Sequence, residues 1–261
     1  MKTLFTIGAA EQAADTLLLE IGQDHCCYAF FDRSANAFSF IRYLTFSEPE
    51  ESLESLFDEW KSPQQVVVCS AGTQALLVPQ KFFQPKPSLV AAVYDPDRSH
   101  ELNDRIPEWQ MVNTYALPAA VYEQLIARFP DARFFHAYTP ALKIHNGFDA
   151  PDQVDIHFTT THFRVLVKKG GEVQLMQTYG YKVPLDVVYF LLKICYELGL
   201  EQEQVFLIVS GLIDKDSALY EELHHYFLNL HFAKEPACTL PASDHPPYYF
   251  TSLYNLAACV S

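Results

Sequence analysis

The residues Gln65-Val-Val-Val-Cys-Ser70 form a continuous β-branched run, and Gln204-Val-Phe-Leu-Ile-Val-Ser210 repeats its character about 135–140 positions later. A strand that is apolar without alternation needs cover on both faces, so each run predicts a central strand with structure above and below it. What precedes the two runs is also alike. Leu17–Gly22, Cys26–Asp32 and Phe38–Phe46 read as three strands, the last two joined through Arg33-Ser-Ala-Asn36. An amphipathic helix follows, opened by Ser47 and Glu50 at capping-box spacing and carrying Leu53, Leu56, Phe57 and Trp60. In the second half, Gln153–Thr159, His162–Lys168 and Val173–Tyr179 make three strands, with Lys169-Gly-Gly171 as a turn, and Pro184–Leu200 makes a helix. The charged residues of that helix, Asp186, Lys193 and Glu197, share one stripe, which predicts that most of its girth is buried. The chain therefore reads as an α/β protein built from a duplicated β-β-β-α-β unit.

Between the copies lie Leu76–Pro79, a proline-rich stretch at Pro85–Pro96 and a strand at Trp109–Leu117, together an insertion near 76–117. A helix opens at Pro118, carries Val121, Tyr122, Leu125, Ile126 and Phe129, and stops at Pro130, before a strand at Arg133–Tyr138. Turn residues cluster at Asn146–Pro151, which sets the expected domains at 1–146 and 147–261. The second domain is expected to hold a helix capped at Asp214–Ser217 and a C-terminal helix through Leu256.

Composition removes several function classes. Eighteen Lys and Arg against 32 Asp and Glu give a net charge of −14, which opposes general nucleic-acid binding and docking on anionic membranes. No apolar run approaches the roughly 18 residues of a spanning helix. Lys2 with Leu4–Ala10 has the outline of a signal peptide, but the apolar part is short and includes Thr6 and Gly8. The six cysteines show no CxxC spacing, so reduced thiols and a cytoplasmic location are expected. Nine glycines leave few loops able to bring backbone close to a phosphate.

Two hairpin-rich copies of β-β-β-α-β resemble the actin, hexokinase and Hsp70 superfamily of ATPases, a ribonuclease H-like architecture of two domains facing across a cleft. The likeness rests on Leu17–Phe46, Ala71–Pro79, Tyr115–Ile144, Val154–Tyr181 and Val205–Gly211. It is similar to the actin-like proteins of pilus assembly and secretion, and to a bacterial family of domains of unknown function with the same fold. The resemblance implies a nucleotide site at three places. The first hairpin would use Asp-x-Gly to hold a metal-water shell, and here reads Glu20-Ile-Gly22, followed by Gln23. The second, glycine-rich in active members, reads Asp155-Ile-His157-Phe-Thr159-Thr160-Thr161, with His157 and Phe158 where glycine is needed. The adenine motif, usually Gly-Gly, reads Ser210-Gly211-Leu212.

Each candidate has a plainer reading. The three threonines suit a phosphate, and equally a hairpin of β-formers. Asp155, His157 and His162 would make a metal trio, yet the turn between the histidines fixes no third ligand. Glu221 and His225, beside His224, have ligand spacing on a helix and also that of ordinary exposed polar residues. Aromatic residues make 14% of the chain, and Phe82, Phe83, Tyr248 and Tyr249 sit near prolines outside the repeats, as partner-binding rings often do. The expected function is a non-catalytic actin-like binding or scaffold module with degenerate nucleotide loops and no cofactor. The alternative is an ATP-dependent enzyme, an ATPase or sugar-type kinase, with Mg²⁺ positioned by Glu20 or Asp155.

Overall fold

A computed structural model describes residues 1–9, 15–47, 53–60, 63–84, 95, 98–144, 150–235 and 237–260. The chain divides into two compact units, one of Met1–Ile144, Ala237–Asp244 and Ser252–Ser261, the other of His145–Pro236 and His245–Thr251. In the first unit, β1 (Lys2–Gly8), β4 (Ala37–Thr45), β3 (His25–Asp32), β2 (Thr16–Ile21), β5 (Gln65–Ser70) and β9 (Arg133–His136) form one sheet in that order. A second sheet of β6 (Ala75–Pro79), β8 (Met111–Pro118) and β7 (Ser99–Ile106) carries the insertion. The sheet of the second unit runs β12 (Glu172–Gly180), β11 (His162–Lys169), β10 (Gln153–Phe158), β13 (Phe206–Gly211) and β14 (Leu230–Phe232).

With β1 set aside, the two large sheets share one topology. Three antiparallel strands are followed by two parallel ones, β5 and β9 in one unit and β13 and β14 in the other. The likeness reaches individual hydrogen bonds. Gly22 N–H donates to the carbonyl of His25 at 2.9 Å, and Thr159 N–H to that of His162 at 2.9 Å. The carboxylates of Asp15 and Asp152 accept from the backbone N–H of Arg33 and Gly170 at the far ends of the matching hairpins.

Local chemistry explains the helices. In α1 (Ala119–Arg128), Val121 and Leu125 are buried and Pro130 prevents continuation. The six-residue α2 (Tyr138–Lys143) follows β9 directly. At the start of α3 (Pro184–Leu198), Asp186 accepts from the N–H groups of Lys182 and Val183, and Gly199 closes the helix at φ +60°. Ser217 caps α4 (Ala218–Tyr226), its Oγ accepting from Tyr220 N–H at 3.2 Å. Leu53, Leu56 and Trp60 of the helix expected after β4 are fully buried, with Trp60 against Tyr28 and Phe129; Glu50 of its capping box lies outside the described residues, as do most of Pro85–Pro96 and of the 146–151 boundary.

Three strands and one placement differ from the sequence reading. The leader-like residues 2–8 are the edge strand β1, paired antiparallel with β4. Strands β7 and β14 were hidden because Ser99–Ile106 is mostly polar and Leu230–Phe232 is only three residues long. The C-terminal helix α5 (Thr251–Ala258), expected in the second domain, packs mainly in the first unit, where Leu253 and Leu256 are fully buried and Tyr254 meets Phe38 edge-on at 5.7 Å.

One polar group ties β7 to the β9–α2 corner. The buried carboxylate of Asp104 accepts from Thr139 Oγ1 at 2.6 Å, His136 N–H at 2.8 Å and Tyr115 OH at 3.3 Å. Burial outweighs these bonds and pushes its pKa up to about 6. A carboxyl raised in the fold costs stability above that pH, and the cost fades as pH falls from about 6 toward the unfolded value of about 3.9. Asn can accept the same two strong bonds without the charge. Asp104→Asn is therefore expected to stabilise by about 1 kcal/mol at pH 8 and to change little at pH 4, as read by thermal unfolding at both pH values; destabilisation at pH 8 would contradict it.

Candidate functional site

In the first unit the candidate residues gather at the β2–β3 hairpin. Glu20 lies opposite Cys27 and Cys69 and is 2% exposed. Its Oε1 stands 3.5 Å from Nε2 of His25, while Nδ1 of that ring meets Asp24 Oδ1 at 3.0 Å and its face stacks on Tyr43 at 5.3 Å. Burial opposes the imidazolium, but Asp24 and Glu20 overcome it and hold the His25 pKa up at about 9. The ring fills the tip, since a Cβ on Gly22 would lie 2.2 Å from it. Gln23 turns aside to donate from Nε2 to Thr73 Oγ1 at 3.0 Å. A cavity of about 190 Å³ remains here, bordered by Gly22, Gln23, Ser70, Thr73 and Pro118.

In the second unit His157, not Asp155, takes the place of Glu20. It pairs across to Ser210 as Glu20 does to Cys69, two residues before the equivalent turn. Aligning the two hairpins on their carboxylates slips the register by two. Asp155 sits lower on β10, accepting from Gln153 Nε2 at 2.7 and 2.8 Å. Thr159, at the position of Gly22, turns its hydroxyl back to the His162 carbonyl at 3.0 Å, and Tyr181 OH donates to the Thr159 carbonyl at 3.1 Å. Thr161 Oγ1 meets His162 Nδ1 at 2.8 Å, and Thr160 lies between Thr159 and Thr161 in the turn. His157 Nδ1 stands 3.0 Å from Ser210 Oγ. Gly211, at φ +79°, passes so near β10 that an added Cβ would lie 2.1 Å from the Phe158 carbonyl oxygen. So Thr159, His157, Ser210 and Gly211 are neighbours, and Asp155 stands apart. Among the described residues no three His, Cys, Asp or Glu side chains gather as a metal would require, including Asp155, His157 and His162.

The aromatic candidates separate. Phe82 is 61% exposed beneath Lys81 Nζ at 4.8 Å, and Phe83 is half-buried. Tyr248 stacks on Phe232 at 4.1 Å, and Tyr249 OH donates to the Asp214 carboxylate, so these two rings are part of the second unit's packing. The expectation that α3 is buried around most of its girth is corrected. Val187, Val188, Leu191, Ile194 and Cys195 face the sheet, but Leu185, Tyr189 and Tyr196 are 55%, 60% and 84% exposed. With half-buried Leu192 they recur at i, i+4, i+7 and i+11, one continuous face. The spacing was visible in the sequence; counting charges alone hid it.

The doubled sheet topology defines an α/β protein of the actin-like ATPase fold. A protein with this fold and unknown function from Bacteroides thetaiotaomicron VPI-5482 matches with a TM-score of 0.80 at 16% identity, over 95% of this chain and 97% of its own. A chain of the PilM–PilN type IV pilus biogenesis complex matches with a TM-score of 0.58 at 12% identity, over 95% and 99%. No curated protein matches the sequence. The chain belongs to the DUF3822 family, a family described as protein of unknown function, whose model matches residues 6–230.

Proposed function

We propose that this protein is a non-catalytic actin-like binding or scaffold module whose nucleotide loops have been taken over by its own side chains. The observation that carries the reading is the filled first hairpin: the His25 imidazolium faces the buried Glu20 carboxylate and occupies the space at Gly22. A buried carboxylate facing an imidazolium is not available to order the metal-water shell that phosphoryl transfer would require. The cavity beside the first hairpin, about 190 Å³, falls below the roughly 300–1,000 Å³ of ordinary ligand sites. On this reading Glu20, Gly22, Gln23, Thr159, Thr160, Thr161, Ser210 and Gly211 are remnants of a nucleotide site and serve the fold, while Asp155 was never aligned with it.

Support for an assembly role comes from the outer surface. Leu185, Tyr189 and Tyr196 on α3, and Phe82 beside β6, expose apolar area suited to a protein partner. The chain of like fold in the PilM–PilN complex is a component of pilus biogenesis machinery. Six free cysteines, four of them buried, support a reducing, cytoplasmic setting. The experiment is equilibrium binding of Mg-ATP, which is expected to leave the hairpins unoccupied at millimolar nucleotide; saturable binding at the hairpins would favour the ATP-dependent enzyme.

A further inference from the structure

At the opposite end of the first unit's sheet, where β5 and β9 begin, the chain builds a cavity of about 550 Å³. Topology brings three arginines there. Arg33 follows the end of β3, Arg128 ends α1, and Arg133 opens β9. The chain has only seven arginines and a net charge of −14, so three at one cavity, against Asp131 in its lining and Asp15 beside Arg33, leave a local excess of positive charge.

Arg33 is engaged, its Nε 3.0 Å from Asp15 Oδ2. Arg128 and Arg133 form no ion pair among the described residues, although Asp131 also borders the cavity. Their guanidinium groups lie over Phe129 at 5.1 Å and Phe135 at 5.3 Å, which limits their motion while leaving both residues exposed. A cation in the last turn of α1 complements the helix dipole, but that does not account for Arg133 on a strand bordering the same cavity. Gln64 and Gln65 add amide groups to the wall, and Pro63, Val66 and Phe129 make it partly apolar.

We infer that this cavity binds a small polyanion bearing phosphoryl or carboxylate groups, held by Arg128 and Arg133 with Arg33 at the edge. Guanidinium forks suit both anions, and the volume falls in the range of small-molecule sites. The inference is independent of the hairpin reading.

The test titrates inorganic pyrophosphate and, separately, tricarballylate into the full chain by calorimetry at low ionic strength. Saturable binding of one of them is expected, weakened at least about tenfold in Arg128→Gln/Arg133→Gln; whichever anion binds more tightly identifies the phosphoryl or the carboxylate source. Amide resonances of Gln64, Gln65 and Arg133 in the unaltered protein should move with saturation, a readout that does not depend on the variant's folding. No binding of either anion at 10-millimolar order, binding unchanged in the double variant, or shifts confined to other residues would overturn the inference.

Discussion

Replacing His25 with Ala is expected to destabilise the protein by about 3 kcal/mol, the usual scale for breaking a buried ion pair from one side. The imidazole faces the Glu20 and Asp24 carboxylates, stacks on Tyr43 and fills the tip beneath Gly22. The loss should be pH-dependent with a definite sign. Because the folded pKa of His25 is raised to about 9, its contribution is complete below its unfolded value of about 6.5 and is lost as pH rises through about 9. The difference between wild type and His25→Ala, measured by urea unfolding, should therefore be larger at pH 6 than at pH 10. Adding Glu20→Gln should recover part of the loss, since the two residues are directly coupled. Equal differences at the two pH values would show that the ring matters for packing alone.

The second large effect is expected at Gly211. Its φ of +79° is a conformation that a residue with a Cβ adopts at a cost, and the added carbon would meet the Phe158 carbonyl oxygen at 2.1 Å. Neither β13 nor β10 can retreat cheaply, because Leu207, Val209, Val154 and Ile156 hold the strands in the core of the second unit. Gly211→Ala is expected to cost about 3 kcal/mol, near the upper end for strained backbone. Gly72→Ala is the comparison: its nearest neighbour would be Ser70 Oγ at 3.5 Å, an ordinary contact, so a change within about 0.5 kcal/mol is expected. Similar melting temperatures for the two variants would contradict the assignment of Gly211 to the strand-to-loop approach.

The duplicated core was legible in the sequence because its signal is hydrophobic and local. The runs at 65–70 and 204–210 can be covered only on both faces, and each became a strand parallel to the first strand of its copy. Register was less legible. Sequence places a carboxylate at 20 and at 155, and chemistry tempts one to superpose them; the hydrogen-bond ladder instead pairs Glu20 with Cys69 and His157 with Ser210. Nor could the sequence show that His25 folds back on Glu20, since that contact depends on the turn at Gly22. The three cavity arginines stand at positions 33, 128 and 133, after β3, at the end of α1 and at the start of β9, and only the fold brings them together. Tyr248 and Tyr249 misled for the reverse reason: prolines surround them in sequence, but Phe232 and Asp214 hold them in space.

Whether the hairpin tips hold a nucleotide phosphate is decided by thermal unfolding of the full chain with and without Mg-ATP at millimolar concentration. A ligand present at 100 times its Kd adds about 2.7 kcal/mol, which for a protein of this size is an upward shift of roughly 5–10 °C. No shift attributable to the hairpins is expected: the melting temperature should stay unchanged with Mg-ATP, or any rise should disappear in Arg128→Gln/Arg133→Gln, whose cavity is the alternative home for a phosphate. A saturable rise of several degrees that persists in that double variant would contradict the account and assign the protein to the nucleotide-binding members of its fold.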